Sequence, residues 1–384
     1  MKKTLVALAV TAFAASASAV TVYDNEGTKF VVDGRVHVYA DKETSKEGNA
    51  KTTGHSKLAN NGSRVRFTVT HNITDDFYGF GRVELRFHGK DKTKLVKNEK
   101  YDSTNPNSLP YTLEEGHSTG SANWGNVYAH RGYVGLGSKS AGSEVTFGKM
   151  LLIGDDIGRI GLDNLYGVGS ALSEVKGQSI LTEATNSGVE YRFTGVKGLT
   201  LAANYNFATE TDTVGSAKAD YGVGAIYEFA VAEDATVSAS VGYSHTDFQN
   251  VAATNQEDKD GVYGGVNYQN SFFKVGVDGG RAVLKAKNGD KLNTTSFVRT
   301  GAKFNVTDKA AVYGNYGYLT VKADTPKEAK THGKNTAHRF MLGAEYKLHK
   351  QVKTYVEGKF DKIKFANGTK QKDKGIGVGL VAYF

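Results

Sequence analysis

Six arginines and three aspartates carry the clearest side-chain pattern in this chain that could act on another molecule. In Ser63-Arg64-Val65-Arg66-Phe67-Thr68-Val69-Thr70, Arg64 and Arg66 alternate with Val65, Phe67 and Val69. On an extended chain the arginines therefore share the face opposite the apolar residues. Arg82 and Arg86 repeat the design against Val83, Leu85 and Phe87, and Arg35 and Arg131 join them if Val36 and Val134 point the other way. The stretch 151–165 instead sets Asp155, Asp156 and Asp163 among Ile and Leu. An arginine wall facing a carboxylate rim is a device for a transverse electric field, which orients polar solutes between its two sides.

Other chemistry is poorly marked. The ten His are scattered, with no pair at zinc-ligand spacing beside a carboxylate. No Cys is present, so there is neither a disulfide framework nor a thiolate metal site. Gly222/Gly224 and Gly375/Gly377/Gly379 sit in strand patterns with no following helix to receive a phosphate, and read as small wall residues. No Ser is marked as a nucleophile. The expectation is a protein without catalytic residues, metal or cofactor.

The arginines must be positioned by strands. Alternation runs from about Lys29 to Phe384 and predicts sixteen of them, near 29–40, 62–72, 77–88, 126–137, 143–149, 187–194, 198–208, 220–229, 235–246, 260–269, 272–283, 293–305, 310–322, 336–347, 351–365 and 373–384. Near the end, Val352, Thr354, Val356 and Phe360 oppose Lys353, Glu357, Lys359 and Asp361. Short links (73–76, 138–142, 195–197, 230–234, 270–271, 306–309, 348–350) alternate with long ones (41–61, 89–125, 150–186, 209–219, 247–259, 284–292, 323–335, 366–372). That rhythm is what an even antiparallel barrel requires, with both termini on the short-turn side. Phe77, Phe193, Phe229, Tyr268, Phe272, Phe304, Tyr346, Tyr355 and Phe384 lie near short-turn ends and read as an aromatic girdle at a bilayer boundary.

Composition agrees. Gly (46), Tyr (21) and Phe (19) are abundant while Pro (3) is scarce, which suits many strands. Mean hydropathy is low, at −0.41, because only alternate residues of a wall wet on one side need be apolar. The expected fold is all-β, a 16-stranded antiparallel transmembrane β-barrel with short periplasmic turns and long extracellular loops. Such a barrel leaves an aqueous lumen. The part-apolar segment 150–186 is expected to fold inside as a pore-constricting third loop, with Ile and Leu on the wall and Asp155, Asp156 and Asp163 toward the pore. A soluble β-sandwich or β-repeat would also alternate, but neither explains the one-sided long loops or the banded aromatics.

Lys2 and Lys3, the apolar run Leu5 to Ala15, and Ala17-Ser18-Ala19 compose a secretory signal with a small-residue cleavage site. The expected organisation is a signal peptide over 1–19 and one barrel domain over 20–384. Losing Lys2 and Lys3 lowers the formal net charge from +8 to +6. The remaining Lys and Arg are spread through strands and loops without forming one patch, which argues against nucleic acid. Bases outnumber acids on the inward face, which predicts a mild anion preference.

At these residues the chain resembles the general porins of Gram-negative outer membranes, most closely the major porins of the Haemophilus and Pasteurella type. The resemblance is carried by Met1-Lys2-Lys3-Thr4, Val22-Tyr23-Asp24-Asn25-Glu26-Gly27-Thr28, Asn61-Gly62-Ser63-Arg64-Val65, Tyr133-Val134-Gly135-Leu136-Gly137, Ile153-Gly154-Asp155-Asp156-Ile157-Gly158, Leu348-His349-Lys350-Gln351-Val352 and the terminal Gly375 to Phe384. It implies a homotrimer in the cell outer membrane among lipid and lipopolysaccharide. It also implies passive diffusion of small hydrophilic solutes and ions, and insertion by the barrel-assembly machinery, which reads the terminal Phe384. Arg64 and Arg131 stand at positions matching the family's basic wall, Arg35 less clearly, and the 89–125 loop would serve as an inter-subunit latch. The Pro-Glu-Phe-Gly-Gly stretch of enteric relatives is absent. Two alternatives are a channel selective for one solute class, and a barrel serving mainly as adhesin or enzyme scaffold.

Overall fold

The computed structural model describes residues 19–54, 56–88, 94–97, 111–114, 126–158, 180–208, 217–248, 256–286, 288–323 and 333–384. The expected signal peptide, apart from Ala19, lies outside them.

The wall consists of sixteen strands. The first five are β2 (Thr28–Glu47), β5 (Arg64–Asn72), β6 (Phe77–His88), β9 (Asn126–Ser138) and β10 (Ser143–Leu151). Then follow β11 (Ala184–Phe193), β12 (Leu199–Phe207), β13 (Ala217–Ala232), β14 (Ala235–Phe248), β15 (Gln256–Gln269) and β16 (Phe273–Ala286). The last five are β17 (Lys291–Asn305), β18 (Ala310–Ala323), β19 (Lys334–His349), β20 (Val352–Lys364) and β21 (Lys370–Tyr383). Each pairs antiparallel with its sequence neighbour, and β21 returns to pair with β2 from Arg35↔Tyr383 to Glu47↔Gln371. The sheet thus closes on itself, and every strand of the wall has two neighbours, as a hydrocarbon surround demands.

Alternation decides which way each strand faces. In β12, Leu201, Tyr205 and Phe207 are exposed outside while Ala202, Asn204 and Asn206 are buried inside. The outward exposure of Val36, Phe67, Val69, Val83 and Val134 likewise places the arginines of β2, β5, β6 and β9 on the inner face.

The closure seam contains a strand that the alternation analysis does not predict, β1 (Val20–Asn25). It pairs with β2 over Val20↔Val32 to Asn25↔Thr28, end to end with β21 along one edge. Glu26 and Gly27 both have positive φ, the left-handed pair that a two-residue hairpin turn favours. A single Glu-Gly between two alternating runs was the signal available. Gly34 exchanges both backbone hydrogen bonds with Phe384, at 2.8 and 3.1 Å. A Cβ at Gly34 would lie 2.4 Å from the Arg64 carbonyl and 2.5 Å from the Phe384 ring, so only glycine admits the terminal aromatic here.

Among the long links, 41–61 holds β3 (Ala50–Thr53) and β4 (Lys57–Asn60), both folded back on β2. Within 89–125, β7 (Lys94–Lys97) and β8 (Tyr111–Glu114) form a separate hairpin. The girdle needs one correction. Tyr355 faces inward, 4% exposed, and hydrogen-bonds His37 Nε2 at 2.8 Å. Its neighbours in the alternation, Thr354 and Val356, already placed it on the wet side.

The short turns are capped by side chains. Asp76 accepts from the Ser140 backbone N–H at 2.7 Å and from the Ser138 hydroxyl at 2.8 Å. The Ser140 N–H, then the serine hydroxyls, hold its carboxyl below the ordinary carboxylate range. A carboxyl depressed in the folded state stabilises above its unfolded pKa, and that contribution disappears as pH falls through the folded value. Asp76→Asn should therefore loosen the 73–76 and 138–142 turns at neutral pH and lose little more below roughly pH 3. Hydrogen exchange of the Ser140 amide, compared with wild type at both pH values, measures this.

Candidate functional site

The third long link runs inward. After β10, α1 (Ile153–Gly158) turns into the lumen against β12, β13, β14 and β15. The helix arises where the Ile-Gly-Asp-Asp-Ile-Gly stretch leaves the sheet, with Asp155 and Asp156 in its first turn, where the helix dipole favours negative charge. Ile153 and Ile157, 2% and 0% exposed, join Ile180 and Leu181 of the returning leg in an apolar core with Ala202, Tyr263 and Phe297.

That core fits because the wall is thinned by glycine. A Cβ at Gly224 would lie 2.7 Å from both Ile153 and Ile157 side chains, and one at Gly242 2.5 Å from Ile157. One at Gly261 would lie 1.9 Å from the Ile180 carbonyl oxygen. Gly224, expected to be a small wall residue, is thus part of a saddle that seats the loop. Gly379 has the same economy elsewhere, lying under the Tyr355 ring.

Polar anchors hold both legs. Glu190 accepts from the Ile153 backbone N–H at 2.7 Å, and Arg192 bridges Glu190 and Asp156, each at 2.8 Å. On the return, Thr182 donates to Asp220 at 2.5 Å, as does Thr246. Asp156 is therefore tied to the wall beside its own strand. Asp155 is half-buried and within electrostatic reach of Arg131 across the lumen. Asp163 lies outside the described residues.

The arginines gather on the facing wall around one carboxylate. Glu84, fully buried, receives Arg86 at 2.6 Å, Arg64 at 3.5 Å and Arg131 at 3.6 Å. Arg35 and Arg64 both donate to the Gly62 carbonyl, at 3.3 and 3.1 Å, and Arg35 also to the Asn61 carbonyl at 3.2 Å. Gly62, at φ +64°, turns these carbonyls to the guanidinium groups. A side chain there would meet Arg35, Arg64 and Arg86 within 3.5 to 3.9 Å. Arg66 is neutralised by Asp33, and Arg82 donates to the Thr68 hydroxyl at 2.9 Å. Sequence reading missed Glu84, although it shares a face with Arg82 and Arg86.

Elsewhere on the inner face the bases have matched acids: Arg299 with Asp278 at 2.6 Å, Arg339 with Asp361 at 2.5 Å, and Lys303 with Glu345 at 2.7 Å. At Glu84 three arginines share one carboxylate, with Arg35 beside them on carbonyls. The positive surplus is thus concentrated opposite α1. Among the described residues no cluster of His, Asp and Glu suits a metal ion.

The family model for Gram-negative porins matches residues 4–365. A major outer membrane protein of Pasteurella multocida is 32% identical over 390 residues, covering all of both chains. Among solved structures, an anion-selective porin from Comamonas acidovorans is similar at TM-score 0.66 and 17% identity, over 93% of this chain and all of that one. OmpT, an outer membrane protein of Vibrio cholerae, in its trimer form, is similar at TM-score 0.60 and 17% identity, over 93% of this chain and all of that one. With a closed barrel, a loop folded into its lumen and a full-length relative of this kind, the chain belongs to the Gram-negative porin family and is an outer-membrane channel for passive diffusion of small hydrophilic solutes and ions.

Proposed function

We propose that selectivity arises between α1 and the Glu84 cluster, with a mild preference for anions. The observation that carries this reading is the local imbalance: Arg35, Arg64, Arg86 and Arg131 converge while Glu84 supplies one negative charge. Low-dielectric walls strengthen such a field, and polar solutes exchange hydration within it. Arg66 and Arg82 extend the wall with smaller net effect, Arg66 because Asp33 offsets it. Asp155 supplies the opposing sign from the loop, Asp163 is assigned to the same rim from the sequence, and Asp156 anchors the loop. Reversal potentials across a salt gradient test this. Anions should permeate a few-fold faster than cations of similar size at low salt, converging near 1 M as screening shortens to roughly 3 Å. A cation preference would overturn it.

We also propose that the mature chain starts at Val20 as one barrel domain over 20–384, and that it assembles as a homotrimer. Support for the trimer comes from the trimer form of the Vibrio relative. A second support is an outward apolar groove of about 480 Å³ lined by Phe30, Phe67, Val83, Val134 and Phe147 over Gly81 and Gly132, which suits a second copy of this chain. The 89–125 loop is proposed as the latch between copies, and Phe384, seated at the seam, as the signal read by the assembly machinery.

A further inference from the structure

The outer face changes character abruptly on one flank. In β21, Leu380, Val378 and Ile376 point outward, and the next three residues of the same parity are Lys374, Lys372 and Lys370. Gln371 and Asp373, between them, face inward. In β20, Val356 and Phe360 are followed outward by Lys362 and Lys364, and in β2, Val36 is followed by Lys42 and Lys46. The register brings these lysines side by side: Lys362↔Lys372, Lys364↔Lys370 and Lys46↔Lys372 are direct cross-strand partners, without a bulge.

Like charges directly opposite each other destabilise a sheet. All six of Lys46, Lys362, Lys364, Lys370, Lys372 and Lys374 are exposed. Lys374 lies over the Phe360 ring at 5.7 Å, which fixes the bank immediately above the apolar band. The acids of the same strand ends face the lumen, where Asp361 pairs with Arg339 and Glu43 with Lys359. The opposite flank shows the contrast. There the outward Lys285 is matched by Asp260 at 2.6 Å and Asp258 at 3.7 Å, and His245 by Asp260 at 2.8 Å and Asp247 at 3.2 Å. One flank neutralises its outward bases internally, and the other leaves them to an external anion.

We infer that the lysine bank at the long-loop ends of β2, β20 and β21 binds the phosphate groups of an anionic lipid headgroup in the outer leaflet. Its height fits a headgroup, because the apolar residues of the same strands end one residue of the same parity below it. Its charge fits a phosphate-rich one, since juxtamembrane lysines each draw anionic headgroups and act together.

The test uses the full barrel in detergent or nanodiscs, with diphosphoryl lipid A as probe and monophosphoryl lipid A and inorganic pyrophosphate as comparators. Native mass spectrometry reads retention. Wild type should retain diphosphoryl lipid A about a hundredfold more tightly than the combined variant K362Q/K364Q/K370Q/K372Q, with the monophosphoryl lipid between. The corresponding Lys→Arg variant should bind as wild type does. Retention unchanged in the glutamine variant overturns the inference, and so does pyrophosphate binding as tightly as the lipid, which would mark a site for small anions. Should the glutamine variant fail to fold, wild-type retention must still fall steeply with salt, and a flat salt response overturns the inference equally.

Discussion

A Gly261→Val channel is expected to pass roughly twofold more current than wild type, because a lumen of this width is narrowed only by what folds into it. The saddle for the loop is rigid at this position. A Cβ on Gly261 would stand 1.9 Å from the Ile180 carbonyl oxygen and 2.9 Å from its carbon, both backbone atoms that cannot rotate aside. At Gly224 and Gly242 the obstruction is the tip of an isoleucine, which can change rotamer, so alanine there should have a smaller effect than valine. Overpacking costs roughly 1–3 kcal/mol, and the returning leg is otherwise held by a small core and by hydrogen bonds to Asp220 and Ser244. The loop therefore leaves the wall before the barrel opens. Planar-bilayer single-channel conductance reads the gain, and resistance of the folded band to detergent gel unfolding shows that the barrel is intact. Gly132→Ala is the control, since nothing lies within 4 Å of its Cβ position. An intact Gly261→Val barrel with wild-type conductance would mean that this saddle does not seat the constriction.

The same glycines show what a sequence can disclose here. Strand positions were legible because lipid outside and water inside impose opposite demands on adjacent residues, and a run such as 63–70 satisfies only one register. The inward turn of the third loop was legible from its Ile and Leu, which need a surface to pack on. The receiving surface was not legible, because Gly224, Gly242 and Gly261 belong to three strands and come together only after the sheet has formed. Long-range pairing also decided the fate of the acids. Asp156 looks like a free rim residue until Arg192, 36 positions later, returns beside it. Glu84 was legible in principle, since Arg82-Val83-Glu84-Leu85-Arg86 places it among the arginines on one face. Its role follows only once β5 and β9 bring Arg64 and Arg131 to the same carboxylate. The hairpin strand β1 went unseen because its six residues are all exposed and carry no buried face to mark them.

Exchanging Arg64 and Arg131 together for glutamate should invert the selectivity. Each swap replaces a positive by a negative charge beside Glu84, on the wall that faces Asp155, so both sides of the constriction become acidic. Arg86 stays at 2.6 Å from Glu84, so the buried carboxylate keeps its tightest partner and the fold is spared the penalty of an uncompensated buried charge. In a focused field the anion-to-cation permeability ratio should fall roughly tenfold at low salt, changing the sign of the reversal potential. The neutral pair Arg64→Gln with Arg131→Gln should sit between, close to non-selective. Lys359→Gln is the informative comparison, because Lys359 is lumen-facing but already matched by Glu43 at 2.6 Å, in the long-loop half of β20. Its effect on the reversal potential should be small. Were Lys359→Gln to move the potential as far as the glutamate pair does, selectivity would belong to the summed charge of the lumen, and the convergence of arginines on Gly62 and Glu84 would be a structural clasp with no special hold on the passing ion.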